Sequence, residues 1–384
     1  MSIDGQEPCA WIDRHTLTRW VQEILGRDDV EVGEWDCEIV TGGAEQTTAL
    51  YRLAGEVAIS EGPQPWSLIL KTHSLAPEHN DPEGVWYWKR EARVYESGLL
   101  DELPGGLRAP RCFGMIERPD GAQWIRMEEV QDDVGDWDLE DYGRVARCLG
   151  QLNGAYVMGE PLPVAPWLSR RWLRQYIERI EPALNLLLDH FDEPLMRRAM
   201  PSLTRESLQT RWEQRYVFLD AIEGLPQTFC HLDAIRRNLF LRKTEGDHEP
   251  VAVDWSYCGI ASLGEEIVPL AFGSVTMGDV DLGDALLLEE IVLREYLAGL
   301  RDAGWDGDPD RVRFSYLATA YWRYMFGAGI GEIIPVMVDP RYHARFEKVF
   351  GMSMEDCADF FAVTVSLFER VYEEASALKT ELAL

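Results

Sequence analysis

Apolar and polar residues follow two different periods along this chain, and the change between them comes near residue 130. Residues 11 to 26, WIDRHTLTRWVQEILG, put Ile12, Leu17, Trp20, Val21, Ile24 and Leu25 on one helical face and stop at Gly26, predicting a packing helix. Period-two stretches then take over. Trp35 to Val40 alternates as a strand, Thr41-Gly42-Gly43 turns, and Thr47 to Leu53 has the β-branched and aromatic content of a second strand. Trp66 to Thr72, WSLILKT, reads as a buried strand that carries a single lysine, Lys71, near its end. Val85 to Leu100 returns to helical spacing, with Glu91 flanked by Trp88 and Tyr95. Pro110 to Glu117 and Ala122 to Val130 complete an expected five-stranded sheet.

Gln131 to Asp138, QDDVGDWD, has the composition of a linker, so a boundary is expected near residue 131, dividing the chain into 1–130 and 131–384. Beyond it helices dominate. Residues 139 to 158 carry Leu139, Tyr142, Val145, Leu149, Leu152 and Tyr156 along one stripe, and 170 to 190 and 205 to 223 are two more amphipathic helices with Pro201 between them. Helical readings resume at 262–275, 282–301, 309–328 and 354–378. The fold class implied is α+β, with no internal repeat and no low-complexity tract.

Within the helical part, Phe229 to Asp254 has polar residues spaced for chemistry. His231-Leu232-Asp233 follows an apolar Phe-Cys pair, and the run Asn238 to Leu241 leads through a polar turn, Lys243 to Pro250, into Val251-Ala252-Val253, predicting a β-hairpin. Asn238 opens the first strand and Asp254 closes the second. Antiparallel pairing therefore brings an amide oxygen beside a carboxylate, the hard-oxygen pair that Mg²⁺ accepts while keeping waters and nucleotide phosphates. Asp233, in the loop before, is placed to take a proton from, or orient, a hydroxyl that attacks a terminal phosphate. Arg236 and Arg237 lie one turn away. A guanidinium there can neutralise charge on a phosphoryl group in transit, or simply pair with one of the chain's many carboxylates.

Lys plus Arg number 37 against 67 Asp plus Glu, a net charge of −30, which argues against nucleic acid or an anionic membrane as main partner. The balance is compatible with a cationic substrate and equally with an acidic, solvated surface. Asp279, Asp281 and Asp284 within seven residues read either as an amine-binding loop or as a solvated turn with a helix cap. Trp305, Tyr316, Tyr321, Trp322, Tyr324 and Phe326 read as core. The seven cysteines form no C-x-x-C pair, which fits a reducing cytosol without a zinc site. With no secretory signal and no apolar run of about 18 residues, a soluble, cytoplasmic protein is expected.

The order His-x-Asp, four residues, Asn, a hairpin, then Asp resembles the catalytic and metal-binding segments of the protein-kinase-like superfamily, and within it the aminoglycoside phosphotransferase and choline kinase group. The resemblance implies a bilobal fold, a small lobe of antiparallel sheet plus helix and a large, mostly helical lobe, with ATP and Mg²⁺ in the cleft. It makes Asp233 the catalytic base, Asn238 and Asp254 the metal ligands, and His231 a scaffold of the catalytic loop. It places Gly42, Gly43 and Thr47 in the loop covering the nucleotide, and Lys71 on the α- and β-phosphates, positioned by Glu91 with Glu96 as the alternative. Glu128 to Val130 would pair with the adenine edge, with Met127 as an apolar wall. Two departures stand out. Asn153 occupies a position where relatives often carry histidine, and Glu265 or Glu266 stands where many carry an aspartate that buttresses the catalytic loop. The implied activity is transfer of the γ-phosphate to a hydroxyl of a small molecule, an amino-sugar, macrolide or related natural product, acting in antibiotic resistance or in metabolism. A kinase-like enzyme modifying Ser or Thr of a biosynthetic peptide and a non-catalytic nucleotide-binding scaffold are the alternatives.

Overall fold

The computed structural model describes residues 11–40, 48–246 and 248–384. Helix α1 (Arg14–Leu25) starts where the Asp13 carboxylate accepts the Thr16 N–H at 2.7 Å, and it ends at Gly26, in the left-handed conformation with φ 63°. Strands β1 (Trp35–Ile39), β2 (Thr48–Ile59), β3 (Gly62–His73), β4 (Cys112–Glu117) and β5 (Gln123–Met127) form one antiparallel sheet in the order β1-β2-β3-β5-β4. The period-two side-chain alternation of β3 gives the sheet its two roles. Leu68 and Leu70 face α1 and join Leu17, Trp20, Val21, Leu53, Phe113 and Trp124 in one core. Lys71 falls on the opposite face with Ile69 and His73.

That second face is covered by α2 (Arg90–Glu96), whose Ala92, Val94 and Tyr95 belong to the larger core of the helical part. After β5 the chain runs over 128–138 to α3 (Leu139–Met158), which opens with a capping box at Asp138 and Asp141. There follow β6 (Ser169–Arg170), α4 (Trp172–Glu178), α5 (Glu181–His190), α6 (Pro194–Ala199), α7 (Arg205–Glu223), β7 (Gln227–Cys230), and the hairpin β8 (Leu239–Lys243) and β9 (His248–Ala252). Strand β10 (Gly259–Ser262) lies between β6 and β7. A π-helical turn (Pro269–Gly273) runs into α8 (Ser274–Thr276), then come α9 (Ala285–Asp302), α10 (Pro309–Ala320), a π-helical segment (Tyr321–Ile333), α11 (Ile334–Val338), α12 (His343–Phe350) and α13 (Met354–Glu381). Helices α3 and α9 cross at backbone contact. A Cβ at Gly299 would lie 2.0 Å from Arg147 O, and one at Gly150 would lie 2.2 Å from Tyr296 O.

The sheet, α1, α3, α7, the hairpin and α13 stand where periodicity put them. Two readings need correction. Residues 170–190 are broken after Glu178 into two helices, and the start of 262–275 is strand end and turn rather than helix. Gly259-Ile260-Ala261-Ser262 is buried on every side, so it shows neither a period of two nor one of 3.6. Among the described residues no helix is long and apolar enough to cross a membrane, and no cluster of His, Cys, Asp and Glu is arranged to hold a metal ion. Cys112, Cys148, Cys230, Cys258 and Cys357 are free thiols, whereas Cys37 is disulfide-bonded, a departure from the reduced set expected from cysteine spacing.

Candidate active site

Lys71 pairs in register with Leu50 on one side and Ile125 on the other, which aims its side chain at α2. Its Nζ lies 2.6 Å from Glu91 Oε2 and 3.0 Å from Asp254 Oδ1. Lys71 and Glu91 are buried, while Asp254 keeps 39% of its side chain exposed. Burial alone lowers a lysine pKa, but Asp254 and Glu91 outweigh it and hold Lys71 above its ordinary value. Burial likewise pushes Asp254 up, and Lys71 beside it wins, leaving the carboxylate well below its usual range. His73, two residues on and on the same face, brings Nε2 to 3.3 Å from Glu91 Oε2. Glu96, the alternative partner, instead points outward to Arg93 at 2.6 Å.

Glu91 is held in place by its neighbour. The Arg90 guanidinium is wholly buried and donates to four backbone carbonyls: Gly84 O at 2.6 Å, Trp167 O at 2.7 Å, Val85 O at 2.9 Å and Ser256 O at 3.0 Å. Two of these belong to the loop before α2. The other two belong to the segment before β6 and to the turn after Asp254. One side chain thus ties α2 to the helical part and to the residue that meets Lys71.

Asp233, Asn238 and Asp254 converge as the hairpin reading requires. Leu239 pairs with Ala252, and the Val253 N–H donates to Asn238 O at 2.9 Å, so Asn238 and Asp254 end adjacent strands. Asn238 Nδ2 donates to Asp233 O and to Asp233 Oδ2, both at 3.0 Å, which leaves its Oδ1 as a hard acceptor. His231 is fully buried. Its Nε2 meets Val253 O at 2.9 Å and its Nδ1 accepts the Asp233 N–H at 3.2 Å, an arrangement that assigns the neutral tautomer protonated at Nε2. Burial lowers its pKa, with the nearby Asp233 opposing. His231 thus ties the turn before Asp254 to the Asp233 loop through both ring nitrogens. Burial raises the Asp233 pKa, Arg323 opposes, and Asp254 adds to the rise. Leu232, in the loop, has φ 66° and Asp254, just after β9, has φ 61°, conformations L-residues rarely adopt.

Arg236 takes the ion-pair alternative. Its guanidinium pairs with Asp132 at 2.6 Å, donates to Gly135 O and Leu239 O, and stacks 4.1 Å over the Trp137 ring, so it fastens the 128–138 connection to the loop rather than facing a phosphoryl group. Arg237 pairs with Asp279 at 3.1 Å. Met127 is buried at the end of β5, and the Glu128 N–H is already spent on Arg111 O at 2.9 Å, its carboxylate pairing with Arg242. The Val130 N–H has no intramolecular backbone partner among the described residues. Gly42, Gly43 and Thr47 lie outside the described residues.

Both departures from the family pattern find partners. Asn153 donates to Phe229 O at 2.9 Å and accepts from Tyr296 OH at 2.7 Å, supporting the strand that enters the loop. Glu266 Oε2 accepts the His231 N–H at 2.7 Å from a fully buried position, and burial pushes its pKa up to about 7. Glu265 is taken by the Ser262 N–H and hydroxyl.

No protein-family model matches the sequence, and no curated protein matches it. Among solved structures the chain is similar to an ethanolamine kinase of Plasmodium vivax, with 12% identity over 94% of this chain and 91% of that one and a TM-score of 0.52. The fold is that of the protein-kinase-like small-molecule kinases. It agrees with the resemblance to the aminoglycoside phosphotransferase and choline kinase group. An amicoumacin kinase in complex with AMP-PNP, Ca²⁺ and Ami is similar at 14% identity over 93% of this chain and 97% of that one, with a TM-score of 0.48. A microcompartment-associated aminopropanol kinase is similar at 13% over 92% and 97%, with a TM-score of 0.46. Within this kinase-like fold, sequence reasoning missed Arg323. It sits in the π-helical segment, donates to Leu232 O, and brings Nη2 to 2.8 Å from Asp233 Oδ1. Its aromatic neighbours had marked the whole segment as core, and the arginine in their midst was the available signal.

Proposed function

We propose that the protein is an ATP- and Mg²⁺-dependent O-phosphotransferase that moves the γ-phosphate to a hydroxyl of a small molecule. The observation that carries this reading is the convergence of Lys71 with Glu91 and Asp254, and of Asn238 with Asp233, where the central strand of the sheet meets one hairpin end. The donor set fits a hard cation: Asn238 keeps Oδ1, and Asp254, which gives Oδ1 to Lys71, keeps Oδ2. A bound Mg²⁺ would neutralise charge on the β- and γ-phosphates.

The chain's own groups supply the rest. Lys71, fixed between two carboxylates, presents an ammonium to the polyphosphate. Each Asp233 oxygen already has one donor, Arg323 on Oδ1 and Asn238 on Oδ2, and each retains a lone-pair site for the acceptor hydroxyl. With its carboxylate so held, Asp233 orients that hydroxyl and takes its proton as the oxygen attacks.

Mg²⁺-dependent ADP release against a panel of amino-sugars, macrolides, amino alcohols and Ser/Thr peptides tests the proposal. One class is expected to stimulate release, and Asp233→Asn to lower it by about a hundredfold or more, the usual reach of general-base catalysis. Stimulation that survives Asp233→Asn unchanged would overturn the assignment of the base.

A further inference from the structure

Arg323 reaches the site from the π-helical segment, and its geometry bears on the acceptor. Its side chain is 10% exposed and that of Asp233 20%. Nη2 lies 2.8 Å from Asp233 Oδ1, Nη1 donates to Leu232 O, and the guanidinium sits 4.5 Å from the centroid of the Trp172 ring, which backs it. Asp233 is therefore not a bare anion awaiting a cation. Its charge is balanced by a fixed guanidinium in a place where water screens weakly.

Several other acids near the loop are paired, whereas Asp281 and Asp284 are exposed without an ion pair among the described residues and Asp254, 39% exposed, faces Lys71. Asp279 is held by Arg237 at 3.1 Å and Asp132 by Arg236 at 2.6 Å. Glu332 is bonded to Tyr176 OH, and Glu265 and Glu266 are turned inward to Ser262 and His231. A polyamine binds by matching its ammonium groups to carboxylates, and at Asp233 it would have to share its partner with the Arg323 guanidinium already there.

We propose that Arg323 is the acceptor-specificity residue of this enzyme, admitting hydroxyl compounds that carry no ammonium group near the reacting oxygen and turning away polycations. This rests on the kinase reading above. It also runs against the cationic acceptor that composition alone allows. The charge of −30 belongs to the molecule as a whole, whereas the field at Asp233 is set by the nearest charges.

The test uses one polyol scaffold in three charge states: a neomycin-class aminocyclitol, its fully N-acetylated form and its fully N-succinylated form. Affinities are measured by calorimetry on the full chain saturated with Mg²⁺ and a non-hydrolysable ATP analogue, and turnover by ADP release with Mg²⁺-ATP. The neutral or anionic form is expected to bind at least tenfold more tightly than the amine. Arg323→Gln, which keeps amide donors and removes the charge, should cut that preference to under threefold through the acceptor KM, with the KM for ATP unchanged. Tightest binding of the amine, equal weakness of all three, or an Arg323→Gln loss spread evenly over the three forms would overturn the proposal. Charge-ranked binding without any turnover would instead overturn the kinase reading and leave the selectivity of the site standing.

Discussion

Leu232 holds a left-handed backbone conformation, φ 66°, with its side chain 1% exposed. At an ordinary buried site glycine is a worse replacement than alanine, because it adds backbone entropy to the unfolded chain. Here the order should invert. Leu232→Ala loses about 2–5 kcal/mol of burial and keeps the strain, whereas Leu232→Gly loses similar burial and relieves about 1–2 kcal/mol of it. Urea denaturation should therefore find the glycine variant the more stable of the two. Glu266 gives a second expectation at this scale. It titrates near 7 when folded, against an ordinary 4.5, so between those values the folded chain keeps a proton that the unfolded chain has lost. The stabilisation is fully present below about pH 4.5, declines as pH rises, and is gone above about pH 7, a fall of up to about 3 kcal/mol. Glu266→Gln, whose amide oxygen still accepts the His231 N–H, should flatten the stability–pH curve over that window.

At the scale of elements, Arg90 is the tie between α2 and the rest of the site. Replacing it with methionine strands four buried carbonyls and should cost about 3 kcal/mol or more, with lysine falling between because its three donors cannot meet all four. Since Glu91 is the next residue, a rise in the KM for ATP should accompany the loss in both variants, read by ADP-release kinetics beside thermal melts. The contrast between Glu91 and Arg90 shows what the sequence discloses. Asn238 and Asp254 were legible from hairpin pairing, which brings the strand ends together beside the Asp233 loop, whereas Lys71 and Glu91 were joined by the resemblance to the kinase-like pattern and not by spacing. Arg90, adjacent to Glu91, was not legible, because its partners are backbone carbonyls from segments up to 166 positions away, and carbonyls carry no residue identity. Arg236 was left with two readings for the opposite reason. Nearness in sequence to Asp233 suggested a shared task, while Asp132, 104 positions back, claimed its guanidinium. Arg323 approaches from 90 positions ahead, through a segment whose aromatics spoke only of core.

At the scale of the whole molecule, the sheet part and the helical part share one site, and the net charge of −30 surrounds it. Self-repulsion on that scale weakens the folded state and is screened once the Debye length falls to about 10 Å near 0.1 M salt. Thermal stability should therefore rise as salt is raised from about 0.01 M to about 0.1 M. Lys71 lies 2.6 Å from Glu91 and 3.0 Å from Asp254, with Lys71 and Glu91 buried, so salt should alter the rate constants less than it alters stability. The most direct test of the central claim needs no knowledge of the acceptor: calorimetric binding of ATP to the wild type and to Asp254→Ala, each with and without Mg²⁺. Wild-type affinity should be at least tenfold tighter with Mg²⁺, and Asp254→Ala should lose that gain while keeping its fold. Binding indifferent to Mg²⁺, or a Mg²⁺ gain that survives in Asp254→Ala, would contradict the claim.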